Sequence, residues 1–416
     1  MVRVASLFSQ LLREVPREDF VGLVQKHRAE RFAKGFSCWT QLIAMLFSQL
    51  ARADSLREIC NGLACCLGKL IHLGIDVAPR RSTLSYANCH RPATLFEEVF
   101  WKTLDRFRSR GMLSQRRPFR FKNRLLSLDS TTISLCLSLF PWASFRRLKG
   151  GVKLHVLLSH DDYLPEYLLI TKAHQADVRC ARQFKLFPRS IVVLDRGYID
   201  FNLLAAWSRA GVFWVTRTKT NLELIGSTKR ELPQNRNILA DQLVRRSIEL
   251  TSRQRFPVPL RRVIVWDEQN QRPISLLTNI LNFGATTIAK IYKERWKIEL
   301  FFKALKQNLK IKTFVGTTEN ALRIQIWTAL LALLILKWLH FLSRANWSLS
   351  NLAAMLRLNL FTYRDLTAWL NNPNNTPPLV PPPEQLLLPL SPLGQLNSSK
   401  PRPTLSQITS STRMKT

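Results

Sequence analysis

The chain has 416 residues, 46% of them hydrophobic, enough apolar material for two or three domains or for one large core with insertions. Its 62 Lys and Arg against 28 Asp and Glu leave a formal net charge of +34, an excess that draws polyanions, nucleic acid first among them. The basic residues are spread along the chain, which disfavours an anionic membrane as the partner. The seven cysteines (38, 60, 65, 66, 89, 136 and 180) have neither disulfide-framework nor CxxC spacing and read as reduced thiols of a cytoplasmic protein.

In chain order, residues 1–78 read as a helical N-terminal domain. MVRVASLFSQLLREVPRED lacks the apolar core of a signal peptide, CWTQLIAMLFSQLAR has helical apolar spacing, and Ser55 to Glu58 forms a capping box. Residues 79–122 read as a helical, basic linker suited to DNA. It holds a short polar helix from about Ser82 to His90, a second capping box at Thr94–Glu97, and SQRRPFRFKNR, which interleaves Phe119 and Phe121 with five basic residues.

Strand patterns occupy 123–220. NRLLSLDSTTISL, KGGVKLHVLLSHDD and PEYLLITKAH are apolar, β-branched runs, with breaks expected at Gly150-Gly151 and Asp161-Asp162. SIVVLDRGYID is a short apolar strand ending at Asp195, FNLLAAWSRAGV a helix, and VFWVTRTK a further strand. Residues 221–285 read as a β-rich insertion and 286–371 as helices. Within the latter, IQIWTALLALLILKWLHFL (324–342) is apolar enough to span a bilayer, but its Gln325, Lys337 and His340 favour a buried core helix. The tail, 372–416, holds ten of the chain's 21 prolines and reads as disordered.

In so basic a chain, carboxylates beside apolar segments stand out. Asp129 is expected to end the first strand and Asp195 ends another, positions where a side chain commonly faces a ligand. YKERWKIELFFKALKQNLKIKTFVG (292–316) reads as one helix. At about 100° per residue, Tyr292, Arg295, Glu299 and Lys306 fall in a wedge about 60° wide. Ile298, Phe301, Phe302, Leu305 and Leu309 fill the adjoining sector, built for burial. Glu294 points elsewhere and reads as a solvated charge. Asp129, Asp195 and Glu299 together form an all-oxygen set that suits Mg²⁺. His155 reads as a sheet-face histidine. Lys149 and Lys153 flank the Gly pair, where a DNA contact and a solvated turn are equally compatible. No P-loop is present, so no nucleotide cofactor is implied.

LSLDSTTISL, KGGVKLHVLL, IVVLDRGY and the spacing Tyr292-x2-Arg295-x3-Glu299-x6-Lys306 resemble the DDE transposases of the IS-four group of bacterial insertion sequences, whose Y-R-E-K signature has that spacing. The resemblance spans about residues 10–345, and the N-terminal region resembles a domain fused to these enzymes. It implies an α/β fold with an RNase H-like core, a mixed sheet flanked by helices. The β insertion would lie between Asp195 and Glu299, which stand 104 positions apart.

It also implies two Mg²⁺ ions, replaceable by Mn²⁺, on Asp129, Asp195 and Glu299. They would serve hydrolysis to a 3′-OH and strand transfer, with a hairpin intermediate in relatives. Tyr292, Arg295 and Lys306 would contact the DNA backbone, and Trp266, in the insertion, a flipped base. Double-stranded DNA, both terminal repeats and target, is the implied partner, with a synaptic homodimer, no membrane, and a place in the bacterial cytoplasm at the nucleoid. A catalytically silent DNA-binding derivative and a metal-dependent nuclease of the same fold are the alternatives.

Overall fold

The computed structural model describes residues 5–31, 33–66, 68–111, 119–146, 149–219, 222, 224–234, 237–246, 256–309 and 314–379. Within them the chain opens with helices α1 (Leu7–Leu12), α2 (Arg17–Lys26), α3 (Cys38–Leu50), α4 (Leu56–Ala64), α5 (Arg81–His90) and α6 (Ala93–Ser109). Ser6, Ser37 and Ser55 cap three of them by accepting a first-turn N–H. Glu58 reaches back to Ser55 Oγ at 3.3 Å and accepts the N–H of Asp54, one residue before the cap, at 2.8 Å, a variant of the box. The box expected at Thr94 is not used. α6 starts at Ala93 behind Pro92, whose ring presets the entry and leaves no N–H to satisfy, and Thr94 bonds His27 at 3.2 Å instead.

The strands begin with β1 (Leu125–Leu135), β2 (Ser144–Arg146), β3 (Lys149–Ser159) and β4 (Pro165–Lys172), then helix α7 (Asp177–Ala181) and β5 (Ile191–Leu194). After α8 (Phe201–Arg209) and β6 (Phe213–Arg217) come β7 (Leu224–Lys229), β8 (Ile238–Arg246), β9 (Leu260–Asp267) and β10 (Arg272–Thr278). The helices α9 (Ala285–Lys293), α10 (Trp296–Asn308), α11 (Glu319–Leu342), α12 (Leu349–Asn359) and α13 (Leu366–Asn371) close the described chain. The expectation of a disordered tail lies, from residue 380, outside the described residues.

The described strands form one mixed sheet in the order β2-β3-β1-β5-β6-β10-β9-β8-β7, with β4 also pairing β3. β1, β5 and β6 are parallel, and β3 runs antiparallel to β1. The strands of 221–285 therefore extend the central sheet through the antiparallel β6–β10 pair.

Two sequence expectations fail here. β1 does not end at Asp129 but continues to Leu135, because β3 pairs it along its full length while β5 stops opposite Leu128. Gly150 and Gly151 lie inside β3, not at a break. A Cβ on Gly150 would come within 2.9 Å of Leu137 and 3.1 Å of the Leu135 carbonyl, so glycine serves close strand approach rather than a turn.

Side-chain alternation divides the core. Ile133, Val152, Leu154 and Val156 face α10, α11 and the N-terminal helices, whereas Leu126, Leu128, Val192 and Trp214 face α8. α11 carries the apolar run read as a core helix, and it is one: it packs on α3, α5, α6 and α12, buried on nearly every side. Phe107 stacks on Trp338 at 5.4 Å, and Phe100 meets Trp327 at 5.6 Å. Leu334 is fully buried there. Leu334→Ala should destabilise the protein by about 2–5 kcal/mol, read from the urea midpoint; a shift of well under 1 kcal/mol would mean that the N-terminal helices do not depend on α11.

Phe119 and Phe121, interleaved with basic residues in the linker read as suited to DNA, stack on each other at 4.8 Å, and Phe121 stacks on Phe283 at 5.1 Å. Their rings are used in packing. All seven cysteines are free thiols.

Candidate active site

The parallel register relates the two aspartates. Leu128 of β1 pairs with Leu194, the last residue of β5, so Asp129 on β1 and Asp195 just past the end of β5 directly follow the same paired position. Asp129 shares the parity of Leu125 and Ile133 and so faces the side covered by α9 to α11.

The third carboxylate arrives from α10. The single helix expected over 292–316 is broken: α9 ends at Lys293 and α10 starts at Trp296 and ends at Asn308. At the joint Arg295 and Ile298 donate to residues three back rather than four, a locally tighter turn through backbone that stays helical at Glu294 and Arg295. Arg295 then spans the site. Its Nη2 donates to Glu299 Oε1 at 2.6 Å, and its Nη1 lies 3.6 Å from Asp129 Oδ2. Its guanidinium also lies 5.9 Å from the Tyr292 ring centre.

Burial, together with the carboxylates of Asp195 and Glu299, pushes Asp129 up to about 6, against the pull of the Ser130 N–H and Arg295. Tyr292 is half-buried, and its phenol is raised chiefly by that burial. Lys306 closes the arrangement by donating to Thr131 Oγ1 at 2.5 Å and to the Thr132 carbonyl at 3.2 Å, fastening α10 to β1. Asp129, Asp195, Tyr292, Arg295, Glu299 and Lys306 therefore do converge.

Other candidates lie elsewhere. Lys153 is inside β3 and not in a solvated turn; its Nζ is 3.2 Å from Asp177 Oδ1 on the reverse face of the sheet. Lys149 pairs through its backbone with Arg146, and its side chain is outside what the structure describes. Trp266 sits on β9 opposite Pro273, and three strands separate β9 from β1. His155 is buried on the sheet, bonded to Thr171 at 3.0 Å, and burial pushes it down to about 4, so the ring is neutral. Glu294 is not a solvated charge: its Oε2 lies 3.6 Å from His160 Nδ1, and that contact holds its carboxyl below the ordinary range.

Sequence reasoning missed Trp296 and Leu300. Both are exposed, 57% and 42%, one turn apart on α10, with Lys293, Lys297 and Lys303 around them. An aromatic ring and an aliphatic chain left in water within a row of lysines was the available signal.

Residues 120–335 match the family described as "Transposase DDE domain". The chain belongs to the DDE transposase family. Residues 3–76 of this transposase match a family described as "Domain of unknown function (DUF4372)". A Sinorhizobium fredii protein named as a transposase, y4zB, is 31% identical over 296 residues, 70% of this chain and 80% of the relative. A Geobacillus stearothermophilus protein named as a transposase for the insertion sequence element IS5377 is 32% identical over 225 residues, 54% of this chain and 59% of the relative. One from Synechocystis, named for the element IS4SA, is 27% identical over 280 residues, 62% of this chain and 71% of the relative.

DDE transposases use divalent metal ions. Among the described residues, no three His, Cys, Asp or Glu side chains are drawn together tightly enough to hold a metal ion. The donor chemistry nonetheless fits: three carboxylates supply hard oxygens, and Asp129 is raised by burial beside two like charges, an environment that a bound cation relieves.

Proposed function

We propose that this transposase moves an insertion sequence by cut-and-paste transposition. It would bind terminal inverted repeats, hydrolyse a phosphodiester to a 3′-OH and join that end to target DNA, with a hairpin intermediate on the way. The carrying observation is that Asp129 and Asp195 directly follow the paired residues Leu128 and Leu194 of parallel β1 and β5, with Glu299 of α10 joined to Asp129 through Arg295. The strand order β4-β3-β1-β5-β6, with β3 antiparallel, supports an RNase H-like core, and the Tyr292-Arg295-Glu299-Lys306 spacing supports the IS-four group.

Asp129, Asp195 and Glu299 would hold divalent ions, Mg²⁺ or Mn²⁺, which when bound supply Lewis-acid chemistry at phosphorus. Arg295 offsets the mutual repulsion of two of the carboxylates until DNA arrives, and its charge lies where a scissile phosphate would sit. Lys306 fixes the inclination of α10. Trp296 and Leu300 offer an apolar patch for an unstacked base, while Lys293, Lys297 and Lys303 meet the backbone. The basic helical residues 1–122 would grip the repeats, two copies pairing two ends in the cytoplasm.

The experiment is cleavage of DNA carrying the element's own ends with Mg²⁺. Wild type should nick at the repeat boundary and join ends to target, whereas Glu299→Gln should bind equally and cut at least about 100-fold more slowly. Binding without cutting by wild type, in Mn²⁺ as well, would make the protein a DNA-binding derivative. Cutting without joined product would make it a nuclease.

A further inference from the structure

The turn between β3 and β4 holds a second set of polar side chains, which the transposition chemistry does not use. His160 is 6% exposed, and its Nε2 lies 2.7 Å from Ser127 Oγ, its Nδ1 3.6 Å from Glu294 Oε2. A carboxylate only accepts, so a hydrogen on Nδ1 faces Glu294 across 3.6 Å, longer than a hydrogen bond, and Nε2 then accepts from the serine hydroxyl. Tyr163 stands edge-on to His160 at 5.6 Å. Tyr163 is held at φ +52°, left-handed backbone that tyrosine rarely adopts, so its neighbours must fix it there. They do: Lys337 of α11 donates to its carbonyl, and Lys297 of α10 lies 5.1 Å from its ring centre. Next to it, Asp162 accepts from Arg108 of α6 at 2.6 Å.

The contacts close a ring. Ser127 precedes Asp129 by two residues on β1 and shares its face; Glu294 precedes Arg295 at the helix joint; Arg295 returns to Asp129. Building on the transposase reading, we propose that Ser127, His160 and Glu294 form a positioning strut. The strut fixes the α9–α10 joint relative to β1, and thereby where Arg295 and Glu299 stand before Asp129. Glu294 is a positioning residue and touches no substrate. Its carboxylate holds the tightened joint in place, and with it the side from which Glu299 reaches the site.

The test uses the full chain with His160→Phe, Glu294→Ala and the pair combined. Two readings are taken: hydrogen exchange over 292–300, and single-turnover cleavage of ends already bound. Each single variant should speed exchange there and slow cleavage by about tenfold or more, with DNA affinity within about twofold. The double variant should be no worse than the worse single one, and Glu294→Gln, which keeps an acceptor for Nδ1–H, should recover most of the rate. Where either large change prevents folding, Ser127→Ala cuts the same strut at its other end and should show the same pattern. Wild-type exchange and cleavage in the single variants would overturn the proposal. So would losses that multiply in the double variant, or a fall in DNA affinity matching the fall in rate. If wild type cuts no DNA the transposition reading fails, yet exchange still decides the strut: faster over 292–300 supports it, unchanged sinks it.

Discussion

Asp129→Asn is expected to abolish DNA cleavage while making the metal-free protein more stable at neutral pH. The loss of rate should be on the order of 1,000-fold or more, since a carboxylate placed for metal and transition-state charge is removed. The gain in stability comes from the same cause. In the folded protein burial and two neighbouring carboxylates lift Asp129 to about 6 from 3.8.

The sign comes from proton binding. Below about pH 4 both the folded and unfolded chains carry the proton, and Asp129 contributes nothing to the difference. Between about pH 4 and 6 the unfolded chain ionises first, so stability falls as pH rises. Above about pH 6 the penalty is complete, about 2–3 kcal/mol for a shift of about two pH units. Asparagine keeps the shape without the charge. Urea titrations of metal-free wild type and Asp129→Asn should therefore coincide near pH 4 and separate by up to about 2–3 kcal/mol at pH 7.5. Addition of Mn²⁺ should close that gap for wild type by stabilising it, and leave the variant unmoved. Parallel curves at every pH would show that Asp129 is not crowded by Asp195 and Glu299, and the site as drawn would be wrong.

The legible and the hidden features of this chain divide along physical lines. Asp195 was legible because IVVL before it is wholly apolar, a run that only a buried strand explains, and the polar residue after such a run must lie at the strand's end. Asp129 was legible for the same reason, but its strand was cut short: DSTTISL past it alternates, and only β3, about twenty residues on, shows that the alternation is paired. The stripe through Tyr292, Arg295, Glu299 and Lys306 was correct as a grouping and wrong as a straight helix. A 3.6-residue period cannot report an interruption at 294–295, where Glu294 meets His160, a residue more than 130 positions away. Gly150-Gly151 misled because glycine marks both turns and close strand approach, and local sequence does not distinguish them. Trp296 was hidden because an aromatic residue in an amphipathic helix is ordinarily core.

The buried pair of Asp241 and Arg261 was beyond any local reading, and its disruption is expected to be the costliest change in the strands that extend the sheet. Arg261 on β9 donates to Asp241 on β8 through Nε at 2.8 Å and Nη2 at 2.6 Å, and the two residues are 1% and 4% exposed. The remaining guanidinium nitrogen serves carbonyls of the segment leading into α9, Leu281 at 3.3 Å and Phe283. Asp241→Ala leaves that guanidinium buried without its counter-charge, a loss of about 3–5 kcal/mol. High salt should not rescue it, because a pair so removed from water is scarcely screened. Replacing both partners with apolar residues, Asp241→Leu with Arg261→Met, should recover much of the loss, since the expense lies in the orphaned charge rather than in the absent attraction. Urea midpoints of the three proteins decide it. A single variant within about 1 kcal/mol of wild type would mean that Arg261 finds water on losing its partner. Because the carbonyls held by Arg261 feed α9, which ends beside Arg295, the single variant should also slow cleavage of bound DNA more than it weakens binding.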